Sequence, residues 1–244
     1  MRFNASQWET IKASTQRWWA GELDRPLLVC RLDGGEPDRP PSKHPFHEYT
    51  AFYDLEIPAE DVVDAWDYHL AGQTCHGDGF PEVWLNFGPG VLAAVLGARL
   101  ETQQETETVW FHPPEEKEIS DLHFAYRAND VWLERIKDIA RAAGERWQGG
   151  VQVGMTDLGG AVDVLSSFRP SEKLLFDLFD HPEEVKRCIW ELHELWFRYF
   201  EEIQAVLAPT NPGWSAWPAF FSAESHYMLQ CDFCYMISPE MFRR

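Results

Sequence analysis

Short apolar runs that alternate with amphipathic helical segments are the feature that most limits what this chain can fold into. Leu27-Leu28-Val29-Cys30-Arg31, Glu82-Val83-Trp84-Leu85-Asn86 and Val151-Gln152-Val153-Gly154-Met155 are too short for typical helices and read as strands. Trp214 to Ala219 and Tyr227 to Cys231 read as two more, and Glu105 to Phe111 as a weaker one. Helices are predicted over Ala59 to Leu70, Asn129 to Trp147 and, in shorter form, Val91 to Leu96, Ala161 to Phe168 and Ser171 to Phe179. Asp180-His181-Pro182-Glu183 combines a capping-box spacing with proline in the first turn. It opens the longest helix, to about Leu207, with Val185, Ile189, Leu192, Trp196, Ile203 and Val206 as its apolar stripe. Ser6-Gln7-Trp8-Glu9 reads as a capping box for a helix to about Ala20, so residues 1–24 form a helical lead-in.

Strands that alternate with helices predict an α/β fold with parallel strands. A doubly wound sheet is the poorer choice, because Arg31-Leu32-Asp33-Gly34-Gly35 does not match the glycine-rich phosphate loop. The expectation is one (β/α)8 TIM barrel domain over residues 1–244. It is an incomplete one, since a minimal barrel takes roughly 250 residues and part of this chain is lead-in. The last segment points the same way. Ser238 is a good N-cap and Pro239 suits the first helical position, but only about one turn remains before Arg244. One turn has no independent stability, so a C-terminally truncated barrel is expected, with part of its site beyond Arg244.

The formal net charge is −19, from 21 basic and 40 acidic residues. Such a surface repels nucleic acid and anionic membrane, and neither is an expected partner. Five cysteines, odd in number and scattered, with no secretory leader, predict reduced thiols and a cytoplasmic setting. No run is long and apolar enough for a membrane span. Twelve Trp and sixteen Phe are enough for a core and for an aromatic-lined pocket.

In a β/α barrel the chemistry sits just after the strands. The residues there are Arg31, Asn86, Asp157 and Asp232, with Trp217 as an aromatic wall. Asn and Asp at such places also serve as turn residues and caps, so each has a purely local alternative. Asp157-Leu158-Gly159-Gly160 suits either an anion at a helix start or a close backbone approach that only glycine allows. Cys231 and Cys234 form a C-x-x-C pair. Zinc needs about four ligands, and Cys75-His76 is the only other cysteine–histidine cluster, so buried unpaired thiols are the competing reading.

Several stretches together resemble the uroporphyrinogen decarboxylase superfamily. They are Arg25-Pro26-Leu27, Phe87-Gly88-Pro89-Gly90 through Leu96-Gly97, Asp157 to Leu165, Leu229 to Phe233 and Ile237 to Phe242. The resemblance implies a β/α barrel and either porphyrinogen decarboxylation or methyl transfer with a corrinoid protein. Where the decarboxylases carry a strand with two carboxylate-binding arginines, this chain keeps Arg31 and has Gly35 in place of the second. Their key aspartate falls on Gly88, their pocket tyrosine on Ser167, and a later serine on Asp232. The losses remove positive charge that a porphyrinogen's many carboxylates require. The resemblance is therefore closer to the methyltransferase-like branch. It implies a small methylated substrate, a corrinoid supplied by a partner, and zinc, if any, held by residues beyond Arg244. Decarboxylation of a porphyrinogen-type polycarboxylate is the alternative, and non-catalytic tetrapyrrole or corrinoid binding is a third.

Overall fold

A computed structural model describes residues 1–243. Helix α1 (Ala5–Trp19) begins two residues earlier than a cap at Ser6 would place it. Asn4 is the cap: its side chain accepts from the Gln7 N–H, and the Gln7 side chain accepts from the Asn4 N–H. Strand β1 (Val29–Leu32), helix α2 (Ala59–Ala71), strands β2 (Thr74–Gly77) and β3 (Glu82–Trp84), and the short helix α3 (Leu92–Val95) follow. Next come β4 (Arg99–Gln103), β5 (Thr108–His112), α4 (Val131–Trp147) and β6 (Gln152–Gly154). Helices α5 (Ala161–Ser166), α6 (Ser171–Asp180), α7 (Pro182–Leu207) and α8 (Pro239–Phe242) complete the chain. Ser238 caps α8 through the Met241 N–H, with Pro239 at its start.

The strands form three two-stranded sheets. β1 pairs antiparallel with β2, and β4 pairs antiparallel with β5. Among the described residues only β3 and β6 run parallel, with Val83 opposite Val153. This overturns the barrel expectation: no eight-stranded parallel sheet is present among the described residues. The physical reasons are local. Pro218 has no N–H for a ladder, and the chain turns there, with the Ala219 N–H donating to the Ala216 carbonyl and Ala219 at φ 54°. Residues 214–219 therefore keep a single antiparallel bridge, Trp214 to Ser222. Residues 227–231 join no ladder. There the Gln230 side chain bonds Asp157, and the N–H groups of Asp232 and Phe233 bond the Asp163 carboxylate.

The chain divides into two compact units, each built from three stretches. The first holds residues 1–86, 135–156 and 203–228. Its aromatic core joins Trp8, Ile11, Phe80 and Phe221, with the Trp8 and Phe221 rings stacked at 5.6 Å. Backbone bonds continue past the β3–β6 pair. The Leu85 N–H donates to the Gly154 carbonyl at 3.4 Å, and the Met155 N–H to the Ser215 carbonyl at 2.9 Å.

The second unit holds residues 87–134, 157–202 and 229–244. Gly88 (φ 97°) presses on Val109, where a Cβ would come within 2.6 Å. Gly159 (φ 75°) and Gly90 approach so closely that a Cβ on Gly159 would sit 2.8 Å from the Gly90 Cα. The glycine pair after Asp157 thus serves a close backbone contact, one of the two readings its sequence allows. In the same unit Tyr199 accepts the Arg127 N–H at 2.7 Å, and the Trp196 indole donates to the Gly159 carbonyl at 3.0 Å.

Candidate functional site

Strand alternation builds a polar face inside the first unit. Side chains point to opposite faces at successive residues and the register sets partners side by side. Glu82 and Trp84 of β3 therefore share a face with Gln152 and Gly154 of β6. Val83, Leu85, Val153 and Met155 are buried on the other. Gly154 confirms the geometry, because a Cβ there would stand 3.3 Å from Ser215 Oγ, 3.4 Å from Trp84 Cδ1 and 3.5 Å from Glu82 Oε1. The Trp84 indole donates to the Met155 carbonyl at 3.0 Å, which fixes its ring.

A cleft of about 440 Å³ opens over this face. Arg31 of β1 reaches it, and its Nη1 donates to Glu82 Oε2 at 3.0 Å. The Glu82 side chain is only 2% exposed. Its Oε1 lies on the Ser215 side, both atoms within 3.5 Å of the point a Cβ on Gly154 would fill. Burial pushes this carboxyl above the ordinary carboxylate range, while Arg31 and the nearby Ser215 hydroxyl draw it partly back. Trp66 and His69 of α2 and the exposed Trp217 form walls. Phe46 stacks on the His69 ring at 3.8 Å. The Gln73 amide ties the rim together by donating to Asp33 Oδ1 at 2.7 Å.

The two histidines of the cleft, His47 and His69, are both pushed below the ordinary imidazole range by burial. They are neutral at pH 7 and add no positive charge. Tyr53, whose hydroxyl accepts the His47 N–H and donates to the Pro45 carbonyl, is pushed up to about 12 by burial. It is a fixed strut for the loop that carries His47.

Two residues singled out from the sequence, Arg31 and Trp217, meet in this cleft although they lie far apart in the chain. Asn86 belongs to the same unit but is buried outside the lining, with its carbonyl taking the Thr50 N–H at 2.6 Å. Asp157 and Asp232 lie in the other unit. Asp157 is buried and accepts from the Gly159 N–H and the Gln230 amide, a local turn role. Asp232 is exposed, and its N–H, with that of Phe233, is held by Asp163. The carboxylate that organises this segment is therefore Asp163. Burial pushes it up, against the pull of those N–H groups.

Sequence reasoning missed Glu82, Trp84 and His69 as cleft residues. Glu82 did carry a signal: it is a carboxylate on an apolar strand, and a buried charge needs a partner.

Cys231 and Cys234 are free thiols, and burial pushes the Cys231 thiol up to about 11. Among the described residues no group of three or more His, Cys, Asp or Glu side chains is placed to hold a metal ion. No helix among them is long and apolar enough to cross a membrane. Compared with known proteins, the chain matches no family model, no curated protein and no solved structure.

Proposed function

We propose that this chain is a small-molecule enzyme that binds a methylated substrate in the Arg31–Glu82 cleft and serves methyl transfer. The observation that carries this reading is the chemistry of the lining. Tryptophans 66, 84 and 217 supply aromatic surface. Among the lining residues Arg31 is the one arginine or lysine, against Asp33, Glu48 and Glu82. Its guanidinium is already engaged by Glu82. A polycarboxylate needs several free cations, and this lining offers the opposite balance. Methyl groups suit the indole faces, and positive charge suits both those faces and the acidic rim. The sequence resemblance to corrinoid-linked methyltransferases supports the same reaction class. A corrinoid carried by a partner would accept the methyl group, and the role of this chain's own residues is to bind and orient the donor.

The test has two parts. Small methylated compounds (methylamines, methyl sulfides, methoxy compounds) are titrated against wild type and Trp217→Ala, with coproporphyrin as the polycarboxylate comparison. Binding of a methylated compound that weakens at least fivefold in the variant is expected. The bound compound is then incubated with free cob(I)alamin, and loss of the cob(I)alamin absorbance is followed. Coproporphyrin binding in the cleft, with no methylated ligand bound, would sink the reading.

A further inference from the structure

Cys231 and Cys234 belong to the second unit, whereas the cleft is lined by residues of the first. The Cys234 N–H donates to the Cys231 carbonyl at 3.2 Å and opens a 3₁₀ turn over Asp232–Met236. Such a closure holds the two Cα atoms within about 7 Å, and a disulfide spans about 4.4 to 6.8 Å. Side chains three residues apart lie over one another in a 3₁₀ turn, and here the Cys231 thiol is hydrogen-bonded to the Cys234 side chain. The residues between the two cysteines are fixed. The N–H groups of Asp232 and Phe233 bond the Asp163 carboxylate at 3.1 and 2.7 Å, and the Phe233 side chain is buried. The other three thiols are not matched in this way. Cys188 is buried, and the β1–β2 register sets Cys30 opposite His76 and Cys75 opposite Arg31, on different faces of that ladder.

We propose that Cys231 and Cys234 are a thiol–disulfide modification site, closed by a low-molecular-weight disulfide such as oxidised glutathione and reopened by the corresponding thiol. The order of events follows from exposure, since Cys234 is exposed and Cys231 is half-buried. The Cys234 thiolate attacks one sulfur of the incoming disulfide, which releases one glutathione thiolate and leaves a mixed disulfide on Cys234. Cys231 then gives its proton to water, and its sulfur attacks the Cys234 sulfur. The bond from Cys234 to glutathione breaks, the second glutathione thiolate leaves, and the Cys231–Cys234 bond forms. The two cysteines lose two electrons, and the one disulfide consumed gains them. Burial and the nearby Asp163 carboxylate push the Cys231 thiol up to about 11, which suits it to the second, intramolecular step and not to the first. Redox C-x-x-C motifs lead with a thiol lowered at a helix start. Here the first cysteine is the shielded one, and the second leads.

The test incubates the reduced full chain with oxidised glutathione, quenches it with iodoacetamide and maps tryptic peptides by mass spectrometry. Cys231 and Cys234 fall in one peptide, residues 199–243, which holds no other cysteine. That peptide is expected to lose two hydrogens and escape alkylation, and to regain two alkylated cysteines after treatment with reduced glutathione. Cys231→Ser should stop at the mixed disulfide on Cys234. In Cys234→Ser the remaining thiol should react about tenfold more slowly than Cys234 does in Cys231→Ser. At about pH 8 a thiol at about 11 in place of an ordinary 9.0 presents about a hundredfold less thiolate, and the greater nucleophilicity of the more basic sulfur returns about tenfold. Circular dichroism establishes that each variant is folded. A wild-type peptide that stays reduced in the folded chain, or that closes only in urea, overturns the proposal. Equal rates for the two single variants overturn the assigned order of attack.

Discussion

Arg169 and Asp177 are paired where water is excluded, with side chains only 6% and 5% exposed. Arg169 Nε donates to Asp177 Oδ2 at 2.6 Å and Nη2 to Oδ1 at 3.1 Å, a two-pronged contact that holds the guanidinium above its usual range. Arg169 also donates to the Lys117 carbonyl and to Glu118, whose side chain is 71% exposed. Removing one member of a buried pair strands the other charge. Asp177→Ala is therefore expected to destabilise the protein by about 3 kcal/mol, whereas Glu118→Ala should cost less than about 1 kcal/mol. Urea unfolding followed by circular dichroism measures both, and similar midpoints for the two variants would refute this ranking. Asp177 and Glu82 share a lesson about reading residues. Each is a carboxylate set among apolar neighbours in a correctly anticipated element, and that setting announces a partner without saying which. Arg31 was visible because it ends an apolar run. Glu82 was not singled out, because its value depends on a β1 side chain that sequence spacing does not place beside it.

Helices and strands differ in how far their evidence reaches along the chain. Helix α2 was expected over Ala59 to Leu70 and occupies Ala59–Ala71, and α4 and α7 are similarly close to expectation. Their periodicity and caps lie within the element itself. Strands depend on partners elsewhere. Thr74–Gly77 and Arg99–Gln103 have little apolar alternation and were not read as strands, yet each forms half of a hairpin or ladder. Packing between elements shows the same dependence at Asp67 of α2. Its carboxylate accepts from Arg39 at 2.8 Å, from Arg146 at 2.7 Å and from the Trp147 indole at 2.8 Å, which joins α2 to the end of α4. Burial alone would raise this carboxyl, but the N–H groups of Arg146 and Trp147 outweigh it, and the net shift is downward. A lowered carboxyl contributes stability that is present above its unfolded value, near 3.8, and is lost as pH falls through the folded value. Asp67→Asn should cost about 2 kcal/mol at pH 7, and the difference from wild type should shrink as the pH is taken below 3.8. Urea midpoints at pH 7 and in acid test this, and a constant difference across that range would contradict it.

The whole molecule is where the sequence misled most. Alternating strand and helix segments argued for a closed parallel barrel, but closure requires every strand to find two neighbours. One parallel pair forms, and the turn at Pro218 and the side-chain bonds around Gln230 keep the later segments out of ladders. Net charge is a whole-molecule property that does not depend on fold class, and at −19 it is large. The surrounding negative potential draws a small cation toward any acidic cleft, over a range set by a Debye length of about 30 Å at 0.01 M salt and less than about 5 Å at 0.5 M. Contacts with the aromatic lining are short-range and not screened. The affinity of a cationic methylated compound such as trimethylammonium should therefore fall by about threefold to tenfold as sodium chloride rises from about 0.01 M to about 0.5 M. It should then level off at a residual affinity that Trp217→Ala weakens. Titrations at several salt concentrations decide between the two contributions. A flat salt profile in wild type would assign recognition to the aromatic lining alone, whereas a fall to no detectable binding would leave the diffuse charge as the whole of the attraction.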